Sequence, residues 1–492
     1  MKKRTEKVSS NQQGWKTTKS QRGWYFIGRI GTYNLQALIP MFMNLFLIFN
    51  GVNLAQVAAI TLIVKIIDAM DDMVFGFLVD KIDLKKSKLL SRLGGQGRYL
   101  PWLRCFMYFF PFAIFLFFLM PSALPGGAKL VWFAVTYLLF DFTYTLVDVP
   151  VQSTLLTLSD IPEERNHLTT IGFVLVTAFA LGTALMQQFL ISEHVGLSVR
   201  TVAFASIILF TAMMLPMPFK LNETNAELKN TAEKGDENYT VREMFRAIKT
   251  NKPYLLCLLS QVIPALCATG TGVTLFVSYY LYGSSTAMLL PTTIGVILLV
   301  IAEMCAPKIS KRFGNKKPLV FSLTLVTVSS FAIYFIGYRH FTVVVALTLL
   351  NTVIGGIVTM LRAYIGLQAI EYGKYKVGRD TTGIFNSIST FTSKVTSSVA
   401  SSAGLLLLSL FGWTTVNAES FADLAAQGIE QTASALSGLW VINSLIPAFG
   451  TLLGLAVIIF YRLDDEDARL MGLCNAGEIS REECESRLSR KY

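Results

Sequence analysis

Twelve stretches of the chain stay apolar for long enough to cross a lipid bilayer, which takes about 20 residues in a helix. They fall at 24–48, 54–80, 100–120, 129–158, 166–190, 199–219, 254–282, 288–306, 317–337, 341–370, 380–410 and 436–461, and each predicts one membrane-spanning helix. The pattern breaks between the sixth and the seventh. There the segment 220–253 contains LNETNAELKNTAEKGDENYT, polar and charged throughout, and reads as a cytoplasmic linker between two six-helix halves, 24–219 and 254–461. Residues 1–23 are basic and polar, with no apolar run before Trp24, so they do not resemble a cleaved signal peptide and are expected to form a disordered cytoplasmic tail. Residues 462–492 read as a second cytoplasmic tail holding a short soluble helix.

Composition supports lipid as the solvent. Of the 492 residues 53% are hydrophobic and 15% charged, at a mean hydropathy of +0.51, whereas soluble domains carry about a quarter charged residues. An all-α membrane protein is therefore expected, not a string of soluble domains. The net charge of +11 is informative by placement. Loops on one side hold Lys81, Lys85, Lys86, Lys88, Arg92 and Arg98, then Arg165, then the central loop, then Lys308, Lys311, Arg312, Lys316 and Lys317, then Lys374, Lys376 and Arg379. Loops on the other hold only Lys129, Arg200 and Arg339, and the long loop 412–435 has no lysine or arginine. Both termini are thus expected in the cytoplasm of a cell whose plasma membrane holds the chain, with no nucleic-acid partner. The basic turns after the second helix (Gly76–Lys81) and after the eighth (Pro307–Lys317) fall at equivalent places in the two halves, as in duplicated transporter folds. Six cysteines show no CxxC pair and no zinc spacing with the three histidines, so no disulfide framework or metal centre is expected.

Charges inside the spans carry the chemistry. In the second span Lys65, Asp68 and Asp72 share a helical face (i, i+3, i+7), with Asp71 at its edge. In the fourth, Asp141, Thr145 and Asp148 form one stripe before Pro150, and the eleventh carries Lys394 among serines and threonines, Thr390 included. An ionised group at mid-bilayer costs at least about 2.5–3.5 kcal/mol, so such groups are seldom decorative. Asp68, Asp71, Asp72, Asp141 and Asp148 against Lys65 and Lys394 leave 2 − 5 = −3. Either some carboxyls hold protons or a cation sits among them. Carboxylates from two helices with the Thr145 hydroxyl supply the oxygens sodium requires. Pure ion pairing that locks helices is the competing reading, for Lys65 above all. Glu303 and Arg362 fall towards helix ends, where a long side chain reaches the interface cheaply, and are expected to be inert.

These residues resemble a family. Asp68-Ala-Met-Asp71-Asp72 with Gly76, Gly97-Arg98-Tyr99-Leu100-Pro101-Trp102, Thr143 to Pro150, and Glu371-Tyr372-Gly373-Lys374-Tyr375-Lys376-Val377-Gly378 are similar to the glycoside-pentoside-hexuronide:cation symporters, typified by melibiose permease, of the major facilitator superfamily. The resemblance spans helices one to eleven, with an insertion around Leu84–Leu93. It implies a major facilitator fold and cation ligands at Asp68, Asp72 and Thr145, with Asp68 and Asp72 holding the metal if that cation is sodium. It also implies that Asp148 stands between cation and solute and that Lys394 links the halves. The permease that typifies the family has asparagine where this chain has Asp71 and glycine where it has Asp141, so sodium and proton both stay open. Its lysine-aspartate pair in the first helix is replaced by Arg29-Ile-Gly-Thr32-Tyr33-Asn34, its fifth-helix arginine falls near Phe173 and its tryptophan falls at Gln152. Tyr33, Asn34, Gln36, Asp141, Tyr144, Asp148, Gln152, Thr390 and Lys394 are the candidates left for binding a polyol.

The expected function is a monomeric Na+- or H+-coupled symporter of a sugar or glycoside, without other cofactors. Two alternatives are carriage of a non-sugar solute such as a lipid or peptide, and a non-transporting sensor or scaffold working through 462–492. No HExxH, GxSxG or phosphate loop is present, which speaks against an enzyme.

Overall fold

The computed structural model describes residues 15–81, 99–159, 161–223, 251–378 and 382–490; within these, the side chains of 69–81 and a few others are outside the description. The chain forms two compact units, 1–234 with 415–429, and 235–414 with 430–492. All regular elements among the described residues are helical.

In the first unit these are α1 (Lys19–Phe49), α2 (Leu54–Lys81), α3 (Leu100–Phe106), α4 (Phe109–Phe118), α5 (Gly126–Leu158), α6 (Pro162–Ile191), α7 (Val199–Met214) and α8 (Met217–Lys220). The second holds α9 (Lys252–Leu266), a 3-10 turn (Thr269–Gly272), α10 (Thr274–Tyr282), α11 (Leu289–Phe313), α12 (Lys316–Ile336), α13 (Phe341–Val377) and α14 (Thr382–Leu410). After α15 (Phe421–Gln427), which belongs to the first unit, come α16 (Ala433–Trp440), a π turn (Val441–Leu445) and α17 (Ile446–Ile459). The chain finishes with α18 (Asp465–Asn475) and α19 (Arg481–Arg487). Ten helices among the described residues are long and apolar enough to span a bilayer. The helices α2 and α14 fill the two remaining predicted spans.

Helix starts follow local chemistry. Thr18 caps α1 in a reciprocal box with Gln21. The Glu164 carboxylate accepts the backbone amides of Lys16 (3.1 Å) and Thr17 (3.0 Å) and the hydroxyls of Thr17 and Ser159. Residues 15–22 are therefore fixed to the first unit and helical from Lys19, where the sequence suggested a disordered tail to residue 23. A carboxylate that satisfies two chain amides is a strong anchor.

Small residues set the closest helix approaches, as expected where lipid supplies no hydrophobic drive between helices. A Cβ on Gly31 would lie 2.6 Å from the Phe210 carbonyl and 2.7 Å from the Met214 amide. Gly31→Ala is expected to cost about 1–3 kcal/mol by overpacking α1 against α7. Thermal unfolding in detergent measures this, and an unchanged midpoint would show the backbones can part. In the second unit Gly454 similarly meets Pro264 and the Ser260 carbonyl, at 2.6 and 2.9 Å from a built Cβ. Pro264 loosens α9 near its end. Beyond that break the Thr269 hydroxyl donates to the Ile442 carbonyl (2.8 Å) in the π turn, where helical pairing is disturbed.

The segment 415–429 contributes to the first unit although its neighbours in sequence belong to the second. Asn417 pairs with Asn50, the Ala418 amide donates to Phe49 O (3.0 Å) and the Val199 amide to Glu419 O (3.1 Å). The Phe421 ring meets Phe49 edge-on at 5.3 Å.

The final thirty residues are also more than a soluble appendage. Met471, Leu470, Ala468 and Cys484 are buried in one core with Leu361, Ile365, Tyr372 and Tyr375 of α13. Asp465 accepts from the Asn315 amide (2.8 Å), Asn315 Nδ2 (2.9 Å) and Gln368 Nε2 (2.7 Å), joining the α11–α12 turn to α13. Burial pushes the Cys484 thiol up from its usual range, as fits a packing residue.

Candidate functional site

The helical register of α2 puts Lys65 and Asp68 on one face, and α5 brings Asp141 to the same place. Lys65 Nζ lies 2.9 Å from Asp141 Oδ1 and 3.2 Å from Asp68 Oδ2. Both carboxylates are withdrawn from solvent, at 6% exposure for Asp68 and 2% for Asp141. One ammonium thus serves two acids, and full ionisation of the three leaves 1 − 2 = −1. The Lys65 charge also stands 5.2 Å above the ring of Tyr137.

Tyr137 is the residue that sequence reading missed. It precedes Asp141 by one turn of α5, the spacing that could have revealed it. It also belongs to an aromatic ladder along α5. Successive ring centroids of Phe133, Tyr137, Phe140 and Tyr144 are 5.5, 6.2 and 6.3 Å apart with planes within 16°. The candidate sugar ligand Tyr144 closes this ladder and also touches Phe110.

Other candidates disperse. The Thr145 hydroxyl donates to the Asp141 carbonyl (3.2 Å), so it sits one turn from the charged triad. Asp148 accepts from Gln152 Nε2 (2.7 Å), and this pair lies about 10 Å farther along α5 at 1.5 Å per residue. Asn34 is buried elsewhere: its amide donates to Ile30 O (2.8 Å) and its oxygen accepts from Thr183 (2.8 Å), which ties α1 to α6. Tyr33 is 49% exposed and Gln36 half-buried. Asp71 and Asp72 ride on α2 and Thr390 on α14, but their side chains lie outside the described residues. Among the described residues no three acids, histidines or cysteines cluster closely enough to cage a metal.

The second unit contains two cavities that share Leu258, Gln261 and Ser389, of about 360 and 440 Å³. Along the first, α14 presents Thr392, Ser393, Thr396 and Ser397. The hydroxyls of Thr392, Thr396 and Ser397 donate to carbonyls of their own helix, at 2.6 to 3.1 Å, and keep lone pairs to offer a polyol. Half-buried Lys394 is on the same helix, outside the residues lining either cavity. Arg362 departs from the expectation of an inert interfacial charge. It lines the 440 Å³ cavity, its Nη2 donates to the Ser260 carbonyl (2.7 Å), and its Nε is enclosed.

Comparison with known proteins gives this geometry a context. The profile of the family described as MFS/sugar transport protein matches residues 24–465. The isoprimeverose transporter of Lactiplantibacillus pentosus is 24% identical over 86% of this chain and 84% of its own length. The glucuronide carrier protein homolog of Escherichia coli K12 is 23% identical over 85% and 86%. Among solved structures, nucleoside transporter NupG superposes with a TM-score of 0.55 at 12% identity, over 90% of this chain and 100% of that one. The inward-open xylose transporter XylE from E. coli gives 0.51 at 12%, over 90% and 96%. These last two establish the fold alone, that of the major facilitators.

Proposed function

Since the chain belongs to the MFS/sugar transport protein family, which makes it a multi-pass transporter and not an enzyme, we propose that it is a cation-coupled symporter of a sugar or glycoside working by alternating access. The observation that carries this reading is the shared ammonium in the first unit. Lys65 cannot balance both Asp68 and Asp141, and Asp71, Asp72 and Asp148 add acid on the same two helices. A sodium ion or proton offsets the remainder and is drawn in from the side where it is abundant. Occupancy then raises solute affinity, and the solute raises cation affinity by the same factor.

The solute half of the reading rests on chemistry of a different kind. Hydroxyls and Gln261 line the cavities of the second unit, polar groups of the kind that hold a sugar ring. The isoprimeverose and glucuronide relatives support the same class. Both termini and the basic loops are assigned to the cytoplasm, by the lysine and arginine bias.

The experiment is uptake into proteoliposomes with sodium or proton gradients imposed separately, using labelled glycosides beside nucleosides and peptides. Glycoside accumulation driven by one of the two gradients is the expected result. Gradient-driven uptake of another class alone would replace the sugar assignment, and uptake indifferent to both gradients would remove cation coupling. In the same assay Lys394→Ala is expected to lower uptake roughly tenfold, within the usual range of coupling energies, with insertion intact. Unaltered uptake would take Lys394 out of the mechanism.

A further inference from the structure

The two halves of the chain end alike and open their third span alike. The sixth span runs out in Phe219-Lys220-Leu221-Asn222-Glu223 and the twelfth in Tyr461-Arg462-Leu463-Asp464-Asp465, in each an aromatic, a base, a leucine, a polar residue and an acid. The third span opens on Gly97-Arg98-Tyr99-Leu100-Pro101 and the ninth on Gly314-Asn315-Lys316-Lys317-Pro318, with glycine and proline at the same interval. Short likenesses of this kind arise by chance in a long chain, so the contacts decide whether they correspond.

In the first unit Glu223 Oε1 accepts the backbone amides of Tyr99 and Leu100, both at 2.9 Å. In the second, Asp465 Oδ2 accepts the Asn315 amide at 2.8 Å, while Oδ1 accepts Asn315 Nδ2 at 2.9 Å and Gln368 Nε2 at 2.7 Å. A further contact is repeated beside each. Arg104 Nε of α3 donates to the Pro218 carbonyl (2.9 Å), and Lys316 Nζ of α12 donates to the Ile459 carbonyl (3.1 Å). Leu221 and Leu463 are both buried. Neither Tyr99 nor Asn315 caps its helix with its own side chain, so an acid from beyond the last span supplies the acceptor that amides at a helix start need. Gly314 leaves room for it: its φ is +75°, and a Cβ there would lie 2.5 Å from Asp465 Oδ2. The need is greatest in the first unit. There α3 has seven residues and is cut off from α4 by the turn at 107–108, too short to hold its place by helix continuity.

We propose that Glu223 and Asp465 are equivalent positioning residues, one per half. Each clasps the chain leaving the last span of its half to the start of the third, so that those two helices move as one block when the protein changes conformation. The conformational role rests on the transporter reading given above; the two clasps stand without it.

Amide hydrogen exchange of the full-length chain in detergent, read by mass spectrometry, tests the clasps. Glu223→Ala is expected to speed exchange over 99–106 roughly tenfold, the scale of one hydrogen bond to a charged group, and to leave 315–322 as in the native chain. Asp465→Ala should do the reverse. Glu223→Gln should keep native protection, because a single oxygen accepts both amides, whereas Asp465→Asn should lose it, because both oxygens of Asp465 accept and an amide nitrogen cannot. Native exchange in both alanine variants overturns the clasps, and exchange that rises in both segments whichever acid is removed overturns their being two local devices. Should an alanine variant not fold, the contrast between Glu223→Gln and Asp465→Asn decides, and native exchange in both overturns the proposal. In the proteoliposome assay, per inserted chain and well below the thermal midpoint, each alanine variant should lower the maximal uptake rate roughly tenfold with solute KM within twofold, and Glu223→Gln should retain the native rate. Lost protection with native uptake overturns the conformational role, as does a changed KM at native maximal rate. A native chain that takes up no solute under either gradient overturns the transporter reading and the conformational role with it, while exchange still decides the clasps.

Discussion

Lys65→Met should destabilise the first unit by about 3–5 kcal/mol, the cost of breaking a buried ion pair from one side. The ammonium stands 2.9 Å from Asp141 and 3.2 Å from Asp68. Without it two buried carboxylates, one on α2 and one on α5, lose the ammonium they share. Adding Asp141→Leu to the same chain should return a good part of the loss, because apolar side chains of similar volume often replace a buried pair at no net cost. The four thermal midpoints of native, single and double variants form a double-mutant cycle. Strict additivity would mean that the 2.9 Å contact contributes no coupling, and the triad would lose its structural role.

The second large effect concerns coupling and leaves stability nearly untouched. In Asp68→Asn the Lys65–Asp141 pair is preserved while one negative charge leaves the site. Gradient-driven accumulation is then expected to stop, while exchange of labelled for unlabelled solute across the membrane continues. Saturating cation normally shifts solute affinity by a coupling factor of about 5–150 in systems of this kind. In Asp68→Asn that factor should fall to near unity, measured as solute Kd with and without the cation. A variant that still concentrates solute at the native level would place the coupling ion elsewhere.

The long elements could be read in advance because a span needs only an uninterrupted apolar run, and each of the twelve runs is helical. Their internal breaks were less visible. The turn at 107–108, the 3-10 segment at 269–272 and the π turn at 441–445 are built from residues that also suit a continuous helix. Within the site, Lys65–Asp68 follows from helical spacing, since i and i+3 are neighbours on any helix. Lys65–Asp141 does not, because nothing along the chain states which helices pack or at what rotation. For the same reason Tyr137 was passed over, Asn34 looked available to a solute although Thr183 and its own helix hold it, and Arg362 looked like an interfacial charge. Long charged side chains are ambiguous from sequence: the same stem that reaches water can be drawn inward by one backbone carbonyl.

The fold of the last thirty residues has a consequence for how the chain can be cut. Its final apolar run ends near residue 461, an inviting place to truncate or to attach a reporter. Yet Tyr461, Leu463, Met471 and Cys484 are interior residues there, and Ser489 closes the end by donating its amide to Asp467 (2.9 Å). A deletion made at that boundary lays bare an oily surface next to the Asn315 turn, so shortened versions should clump unless the cut falls beyond Ser489.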